Sequence, residues 1–155
     1  MAELIENFDD TTYVVPITGT WEWTSTSPRA GAGCFRSGTI GHSASTDATV
    51  TAPTGASKVK FWYRVSSEAS YDFFRFLING VEKTEVAAAG AVSWTESPEF
   101  PVAPGDTLTF RYSKDSSNAT GEDAAFIDDL TFTVDGRPML PRFTYAAAVA
   151  RASRW

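Results

Sequence analysis

The feature that most constrains this sequence is the alternation of apolar and polar side chains between residues 58 and 80. In the first run the alternating sets are Val59, Phe61, Tyr63 and Val65 against Lys60, Trp62 and Arg64. A period of two places successive side chains on opposite faces of a β-strand. The charged residues do not gather on one helical stripe, so a helix is excluded. The run therefore predicts a strand with one apolar face.

A second alternating run follows a polar turn at residues 66–70. It places Phe74, Phe76 and Ile78 on one side and Tyr71, Phe73 and Arg75 on the other. Asn79-Gly80 then predicts a tight turn into a third short run, because both residues tolerate a positive φ. We expect the first two runs to pair with each other as a central hairpin.

The rest of the first 134 residues is also predicted to consist of β-strands and turns. Further strands are predicted at residues 11–17, 20–24, 92–100, 107–112 and 124–134, separated by turns that contain Gly, Pro, Ser and Asp. Short strands at this spacing, with no helical pattern between them, are typical of a two-sheet sandwich. The chain of 155 residues is thus predicted to be all-β, with one antiparallel two-sheet domain over residues 1–134.

Residues 135–155 differ from this domain in composition. They hold four Arg against Asp135 alone, whereas residues 1–134 hold nine Lys and Arg against eighteen Asp and Glu. Pro138 and Pro141 suggest a linker, and the Ala-rich residues 144–155 predict a short helix. A helix this short is marginal alone, so we expect it to dock on its own domain or on a partner. The predicted docking residues are Arg137, Arg142, Tyr145, Val149, Arg151, Arg154 and Trp155.

Charge and segment composition exclude some classes of function. The net charge of −6 argues against nucleic-acid binding. The first ten residues have neither a basic start nor an apolar run, so no secretion signal is predicted. No stretch is long and apolar enough to predict a membrane-spanning helix.

Three blocks of the sequence resemble a known group of domains. They are FWYRVSSEASYDFFRFLING, the stretch PEFPVAPGDTLTFRYSKDSS that follows Trp94, and GEDAAFIDDLTF. Together they are similar to the jelly-roll accessory domains of bacterial and phage surface proteins, and to MAM and carbohydrate-binding jelly rolls. The resemblance covers roughly residues 4–134 and implies a jelly-roll fold, but one fold hosts many functions.

The outer face of the alternating strands is the candidate binding surface. If the core side chains lie on one face, the other face would hold Lys60, Trp62, Arg64, Tyr71, Arg75 and Arg111. Sugars stack on aromatic rings, and guanidinium groups bind carboxylates and hydroxyls. Trp, Tyr and Arg are also the usual anchors of protein interfaces. This face is expected to bind a glycan or a partner protein; the alternative is a solvated face with cross-strand ion pairs.

Four aspartates near the ends of the β domain are the candidate metal ligands. Asp9 and Asp10 precede the first predicted strand, and Asp128 and Asp129 lie in the last. The resemblance implies that the terminal strands are neighbours and that a structural calcium ion lies there. Ca²⁺ prefers six to eight oxygen ligands, which carboxylates can supply. The alternative is that these carboxylates are exposed or hydrogen-bond to loop amides.

No enzyme activity is expected. Asp115, Glu122 and Asp123 could serve glycoside hydrolysis only if a pair of them were held at the right separation, and such loop acids are usually just solvated. His42 is the sole histidine, and no partner for a Ser-His-Asp site is evident.

The leading hypothesis is a non-enzymatic virion structural module, either a capsid decoration or a tail-associated protein. An extracellular-type fold that lacks an export signal suits a phage protein made in the host cytoplasm and released by lysis. The tail would then bind capsid or tail proteins, or another copy of the chain. The alternative is a lectin-like carbohydrate-binding module of a bacterial surface protein, which would be extracellular and would bind a cell-surface glycan.

Overall fold

The computed structural model describes residues 2–135, which form two antiparallel β-sheets packed face to face. Sheet A contains β1 (Ala2–Glu6), β3 (Glu22–Thr24), β4 (Cys34–Arg36), β6 (Ala56–Ser66), β10 (Ala91–Glu96), β11 (Phe100–Pro101) and β13 (Ala124–Val134). Sheet B contains β2 (Ile17–Gly19), β5 (Ser45–Thr51), β7 (Phe73–Ile78), β8 (Val81–Glu82), β9 (Ala88–Ala89) and β12 (Thr107–Ser113). A 3-10 turn spans Thr84–Val86, and residues 2–135 include no α-helix. The predicted all-β sandwich is confirmed.

The order of the strands brings the two ends of the domain together. Sheet A runs β10-β6-β13-β4-β3, with β1 on β13 and β11 on β6; sheet B runs β2-β5-β12-β7-β8, with β9 on β7. β1 pairs with β13 along its whole length, from Ala2 opposite Val134 to Glu6 opposite Leu130. The terminal strands are therefore neighbours, as the resemblance implied. β1 itself was not predicted, and of the strand expected at residues 11–17 only Ile17 is in a strand, as the first residue of the short β2.

The alternation in β6 and β7 divides core from surface as predicted. Phe61, Phe74 and Phe76 are fully buried. The rings of Phe61 and Phe76 lie 4.8 Å apart between centroids in an edge-on arrangement, and Phe110 lies 5.0 Å from each of them. Phe61 belongs to sheet A and the other two to sheet B, so these aromatic contacts join the two sheets.

The hairpin expected between the first two alternating runs is absent, and that prediction is wrong. β6 pairs with β13 and β10 in sheet A, whereas β7 pairs with β12 and β8 in sheet B. Residues 67–72 carry the chain from one sheet to the other. Both strands have an apolar face, and placing them in opposite sheets lets those faces pack on each other across the core.

The predicted turn at Asn79-Gly80 is confirmed as the connection between β7 and β8. Asn79 has a φ of 50° and Gly80 a φ of 81°, the pair of positive values that a tight hairpin turn of this hand requires. The backbone N–H of Lys83 then donates to the carbonyl of Phe76 at 2.7 Å.

The domain boundary at residue 134 and the tail over residues 135–155 remain predictions. Asp135 is the last described residue, and the predicted helix and docking residues all lie outside the described range. None of the described residues belongs to a helix long and apolar enough to cross a membrane.

Candidate functional site

A groove of about 450 Å³ lies on the outer face of sheet A. Four strands and one loop line it, with the residues Glu3, Ile5, Arg29, Lys60, Trp62, Glu96, Asp129 and Thr131. The four strands are β1, β13, β6 and β10, which lie side by side. At a spacing of about 4.8 Å between neighbouring strands, a groove across four strands spans about 14 Å.

The floor of the groove follows from the alternation in β6. Val59, Phe61 and Tyr63 point into the core, so Lys60 and Trp62 between them point outward. Both outward side chains are half-buried by their neighbours. The Lys60 ammonium lies 3.3 Å from a carboxylate oxygen of Glu96 on β10.

A β-bulge in β13 adds a carboxylate to the groove. The register of β13 against β6 shifts between Asp128 and Thr131, and Asp129 has a φ of 47°. The extra residue lets two consecutive aspartates lie on the outer side before Leu130 returns to the core. Asp129 lines the groove, whereas Asp128 is fully buried.

Arg29 connects the groove floor to its rim. Its guanidinium carbon lies 4.0 Å from the centroid of the Trp62 ring, a cation–π contact. One nitrogen of the same group donates to Asp129 Oδ2 at 3.0 Å. The side chain is 37% exposed, so part of the guanidinium faces solvent above the groove.

The loop that carries Arg29 is held in place by Asp128. The backbone N–H groups of Arg29 and Ala30 donate to Asp128 Oδ2 at 3.0 and 3.3 Å. Burial, and secondarily the charge of Asp129, raise the pKa of the Asp128 carboxyl to about 7, although the backbone hydrogen bonds oppose this shift. The indole N–H of Trp94 donates to the carbonyl of Ser27 at 3.0 Å and ties the loop to β10. Residues 25–33, the rim loop, are thus held in place and carry Arg29 into the lining of the groove.

The rim loop also covers a small apolar cluster beside the groove. Cys34, Ala124 and Phe126 are buried there, with Trp94 packed against them. Burial raises the pKa of the Cys34 thiol to about 12, so the thiol stays protonated at neutral pH. Cys34 therefore behaves as a small buried hydrophobe.

Two of the six predicted binding residues line the groove, namely Lys60 and Trp62. Arg64 lies on the same strand, but its guanidinium contacts residues outside the groove. Its guanidinium stacks 3.8 Å from the ring centroid of Phe126, and it donates to Glu122 at 2.6 Å. Its side chain is only 13% exposed, so it serves mainly to pack the surface.

Tyr71, the fourth of the six, is 58% exposed in the loop between β6 and β7. It is not among the residues that line the groove. A phenol on an exposed loop is available for contact, but the structure places no other predicted binding residue beside it. Its role in binding therefore stays a prediction.

The remaining two residues, Arg75 and Arg111, lie on sheet B, so the prediction of one shared face is wrong. They sit opposite each other in the register of β7 and β12. Arg111 donates two hydrogen bonds to Asp47, at 2.8 and 2.9 Å, and Arg75 donates one to Glu82 at 3.1 Å. These contacts form an ion-pair ladder across sheet B, the alternative that was left open for this face.

The four aspartates predicted to bind calcium do not converge on one centre. Asp9 accepts a backbone hydrogen bond from Ala32 at 2.8 Å, and Asp10 accepts one within its own turn at 2.9 Å. Asp128 and Asp129 bind the rim loop as described above. No three of these four carboxylates bring oxygens within 4.8 Å of one another. Mostly they hydrogen-bond to loop amides, the stated alternative, and calcium binding by the chain stays a prediction.

The acids of the loop at residues 114–123 are also bound to protein groups. Asp123 accepts hydrogen bonds from the Tyr112 hydroxyl at 2.8 Å and the Lys114 ammonium at 2.6 Å. Glu122 pairs with Arg64, and Asp115 belongs to a different cluster. This arrangement does not present the open pair of carboxylates that glycoside hydrolysis needs.

Several residues that line the groove were not predicted from the sequence, for different reasons. Glu96 and Thr131 are on predicted strands, and their alternation with core positions was a usable signal. Ile5 and Glu3 are on the unpredicted β1. Arg29 sits in a turn-rich loop, where no local pattern indicates which strand the side chain reaches.

Solved structures with a similar fold indicate which kind of domain this chain forms. No protein-family model matches the chain, and no curated protein matches it. The K2 cleaved adhesin domain of Lys-gingipain aligns over 86% of this chain and 99% of its own, with a TM-score of 0.60 and 17% identity. The xylan-binding domain from CBM 22 aligns over 87% and 96%, with a TM-score of 0.53 and 11% identity. The CBM51 domain from Clostridium perfringens, solved with methyl-galactose, aligns over 85% and 100%, with a TM-score of 0.50 and 12% identity.

The chain has the jelly-roll fold of carbohydrate-binding modules. At these identities the likeness shows the fold alone. The carbohydrate-binding part of the resemblance is thereby supported at the level of fold. The narrower resemblance to phage proteins and MAM domains remains a prediction.

Proposed function

We propose that this chain is a non-catalytic carbohydrate-binding module that binds a glycan in the groove on sheet A. The observation that carries the proposal is the stack of Trp62 and Arg29 on the floor of an open groove. An aromatic ring beside hydrogen-bonding groups is the arrangement that recognises a sugar, whose ring has both apolar C–H faces and polar hydroxyls. The jelly-roll likeness to carbohydrate-binding modules supports the same class of function.

The charges around the groove favour a neutral glycan. Three carboxylates, from Glu3, Glu96 and Asp129, accompany two cations, Arg29 and Lys60. Two ion pairs already neutralise most of this charge. An acidic sugar would gain little from so balanced a set, whereas neutral hydroxyls can donate to the carboxylates and accept from the guanidinium.

The shape of the groove favours a chain of sugars over a single ring. A span of about 14 Å across four strands is longer than one sugar ring. Trp62 lies near the middle of the lining strands, with Glu96 to one side and Asp129 to the other. We expect one sugar to pack against the Trp62 ring beside Arg29 and its neighbours to hydrogen-bond along the groove. The first ligands to test are xylan and galactose-containing oligosaccharides, since two similar domains are named with xylan and methyl-galactose.

The test compares substitutions on the two outer faces of the sandwich. Glycan-array screening identifies a ligand, and titration calorimetry measures its affinity for Trp62→Ala and Arg75→Ala. The first variant should lose at least about tenfold in affinity, because the stacking surface is removed. The second removes a partly exposed Arg of sheet B and should bind normally. Equal affinity of both variants and the unchanged chain would place the binding site outside the groove.

The findings support this carbohydrate-binding function better than the virion structural role that was the leading expectation. The structures compared above are described as adhesin and carbohydrate-binding domains, not as virion proteins. The virion role depends on residues 136–155, which the structure does not describe. That role, its capsid or tail partners, and a location in the virion or otherwise outside the cell stay predictions.

A further inference from the structure

A cluster of three carboxylates lies away from the groove, between two loops that join the sheets. Glu68 and Asp72 come from the crossing loop between β6 and β7, and Asp115 follows β12. An oxygen of each carboxylate lies within 4.8 Å of one from each of the others. Like charges this close repel unless a positive charge or a proton lies between them.

Within residues 2–135, two buried oxygens of this cluster have no hydrogen-bond donor. Asp72 is fully buried, and its Oδ2 has no partner; Glu68 Oε1 is likewise buried without one. The second oxygen of each of these two carboxylates accepts a hydrogen bond. The backbone N–H of Asp115 donates to Asp72 Oδ1 at 3.1 Å, and Asn118 Nδ2 donates to Glu68 Oε2 at 2.9 Å. Burying a charged oxygen without a partner costs free energy. These two oxygens therefore indicate that a positively charged group binds at the cluster.

The described residues, 2–135, supply too little positive charge to neutralise this cluster. Lys114 is the cation that acts on Asp72, and its ammonium is already bound to Asp123 at 2.6 Å. Burial is the first cause that raises the pKa of Asp72, and the charges of Asp115 and Glu68 add to it. Four carboxylates therefore share one ammonium in this region.

We propose that Glu68, Asp72 and Asp115 bind one hard divalent cation of the calcium class. Two oxygens on a common Ca²⁺ lie at most about 5 Å apart, because each bond is about 2.3–2.6 Å long. The 4.8 Å limit on the oxygens of the cluster falls inside that span. Calcium also accepts irregular geometry completed by water, which suits ligands from two loops. This site is distinct from the four aspartates that the sequence suggested, and it does not depend on the proposed glycan function.

Binding here would join three parts of the fold. The crossing loop and the segment after β12 each supply ligands. The backbone N–H of Ser43 donates to the carbonyl of Asp115 at 2.7 Å, so the segment before β5 is attached to the same point. The expected consequence is a calcium-dependent increase in thermal stability, since a ligand that binds only the folded state stabilises it.

The experiment uses the full chain after treatment with EDTA. Thermal melting is followed at pH 7.5 while CaCl₂ is added, and calorimetry measures the stoichiometry. The unchanged chain should bind one Ca²⁺, and its melting temperature should rise by about 5 °C or more at saturating calcium. MgCl₂ should give a smaller shift, because Mg²⁺ needs shorter bonds in octahedral geometry.

Variants locate the site. Asp115→Asn changes a partly exposed ligand and should fold, yet lose most of the calcium-dependent shift. Asp72→Asn should also lose it, and should melt higher than the EDTA-treated unchanged chain because a buried charge is removed. Asp129→Asn, on the groove, should keep the full shift.

Two results would overturn the proposal. One is the absence of any calcium-dependent shift in the unchanged chain, which would mean that a proton bridges the carboxylates. The other is loss of the shift in Asp9→Asn or Asp129→Asn with its retention in Asp115→Asn, which would put the ion near the terminal strands. Glycan affinity is measured in parallel, so failure of this site and failure of the groove are separate outcomes.

Discussion

Adjacent residues of identical type have different roles in this protein, as Asp128 and Asp129 illustrate. The bulge turns both to the outer side of sheet A. Asp128 is sealed beneath the rim loop and accepts hydrogen bonds from backbone N–H groups, whereas Asp129 pairs with a guanidinium at the groove surface. The difference is one of burial, and it shifts the pKa of Asp128 far above the ordinary value.

Substitution of Asp128 should change the pH dependence of stability. Its pKa is about 7 in the folded protein and 3.8 in the reference state. The folded state therefore binds more protons between these values, and the free energy of unfolding contributed by this group falls as the pH rises from about 4 to about 7. In Asp128→Asn that fall should be absent. Urea unfolding at several pH values measures it.

The informative quantity is the difference between the unchanged chain and Asp128→Asn at each pH. A constant offset would report only the altered hydrogen bonds to the rim loop. If the difference is the same at pH 4 and pH 7, then Asp128 is not the titrating group that the burial argument identifies.

Among the secondary-structure elements and loops, the rim loop supplies Arg29, the one lining residue of the groove within residues 2–135 that does not lie on a strand. It has little regular structure, yet it is attached at Asp128, at Trp94 and, through Ala32, at Asp9. Gly31 lies between these attachments with a φ of 72°, a conformation that residues with a Cβ rarely adopt. The Asp9 carboxylate fills the space that a Cβ at this position would need.

Gly31→Ala should therefore move the rim loop. We expect a loss of about 1–2 kcal/mol in the free energy of unfolding, because a strained φ and a steric overlap are introduced together. Glycan affinity should fall as well, since Arg29 is carried by the same loop. Urea unfolding and calorimetry measure the two effects.

Gly41→Ala is the matched control. Apart from Gly41 itself and its two chain neighbours, no heavy atom of the described residues lies within 4 Å of the position where its Cβ would be. It should change the free energy of unfolding by less than about 0.5 kcal/mol and leave glycan affinity unchanged. Equal effects of the two substitutions would show that the position of the rim loop does not matter.

The whole molecule presents two chemically different outer faces. Sheet A carries the groove, with an aromatic floor and mixed charges. Sheet B carries the ion-pair ladder in which Arg75 and Arg111 are each bound to a carboxylate. Such paired surface charges contribute little to stability and leave few free groups for recognition. Sheet B also has an aromatic ring on this face, Phe73 beneath Arg75, so it is the groove that favours sheet A as the proposed glycan site.

Deletion of residues 136–155 distinguishes the carbohydrate-binding hypothesis from the virion hypothesis. Every residue that lines the groove lies between positions 3 and 131, so the truncated chain should keep its fold and its glycan affinity. The virion hypothesis expects the same truncation to abolish incorporation into particles. Melting temperature, calorimetry and particle assembly are the three measurements. Loss of glycan affinity on truncation would contradict a binding site confined to the groove.

The sequence predicted the inward and outward positions well and the partners of the strands poorly. Alternation correctly assigned Phe61 and Phe76 to the core and Trp62 to the surface. It could not indicate that β6 and β7 enter different sheets, because each has an apolar face that suits either sheet. For this reason the predicted binding residues do not share one face. Lys60 and Trp62 are separated from Arg75 and Arg111 by the full thickness of the sandwich.

The sequence by itself determined those features that depend on residues close together along the chain. Period-two alternation, turn residues and composition indicated an all-β domain and which side chains of β6 and β7 are buried, because those features depend on near neighbours along the chain. The tertiary structure alone decided which outward residues share a face. That outcome depends on hydrogen bonds between strands far apart in sequence, on a bulge in β13, and on a loop whose anchor is 99 residues away at Asp128.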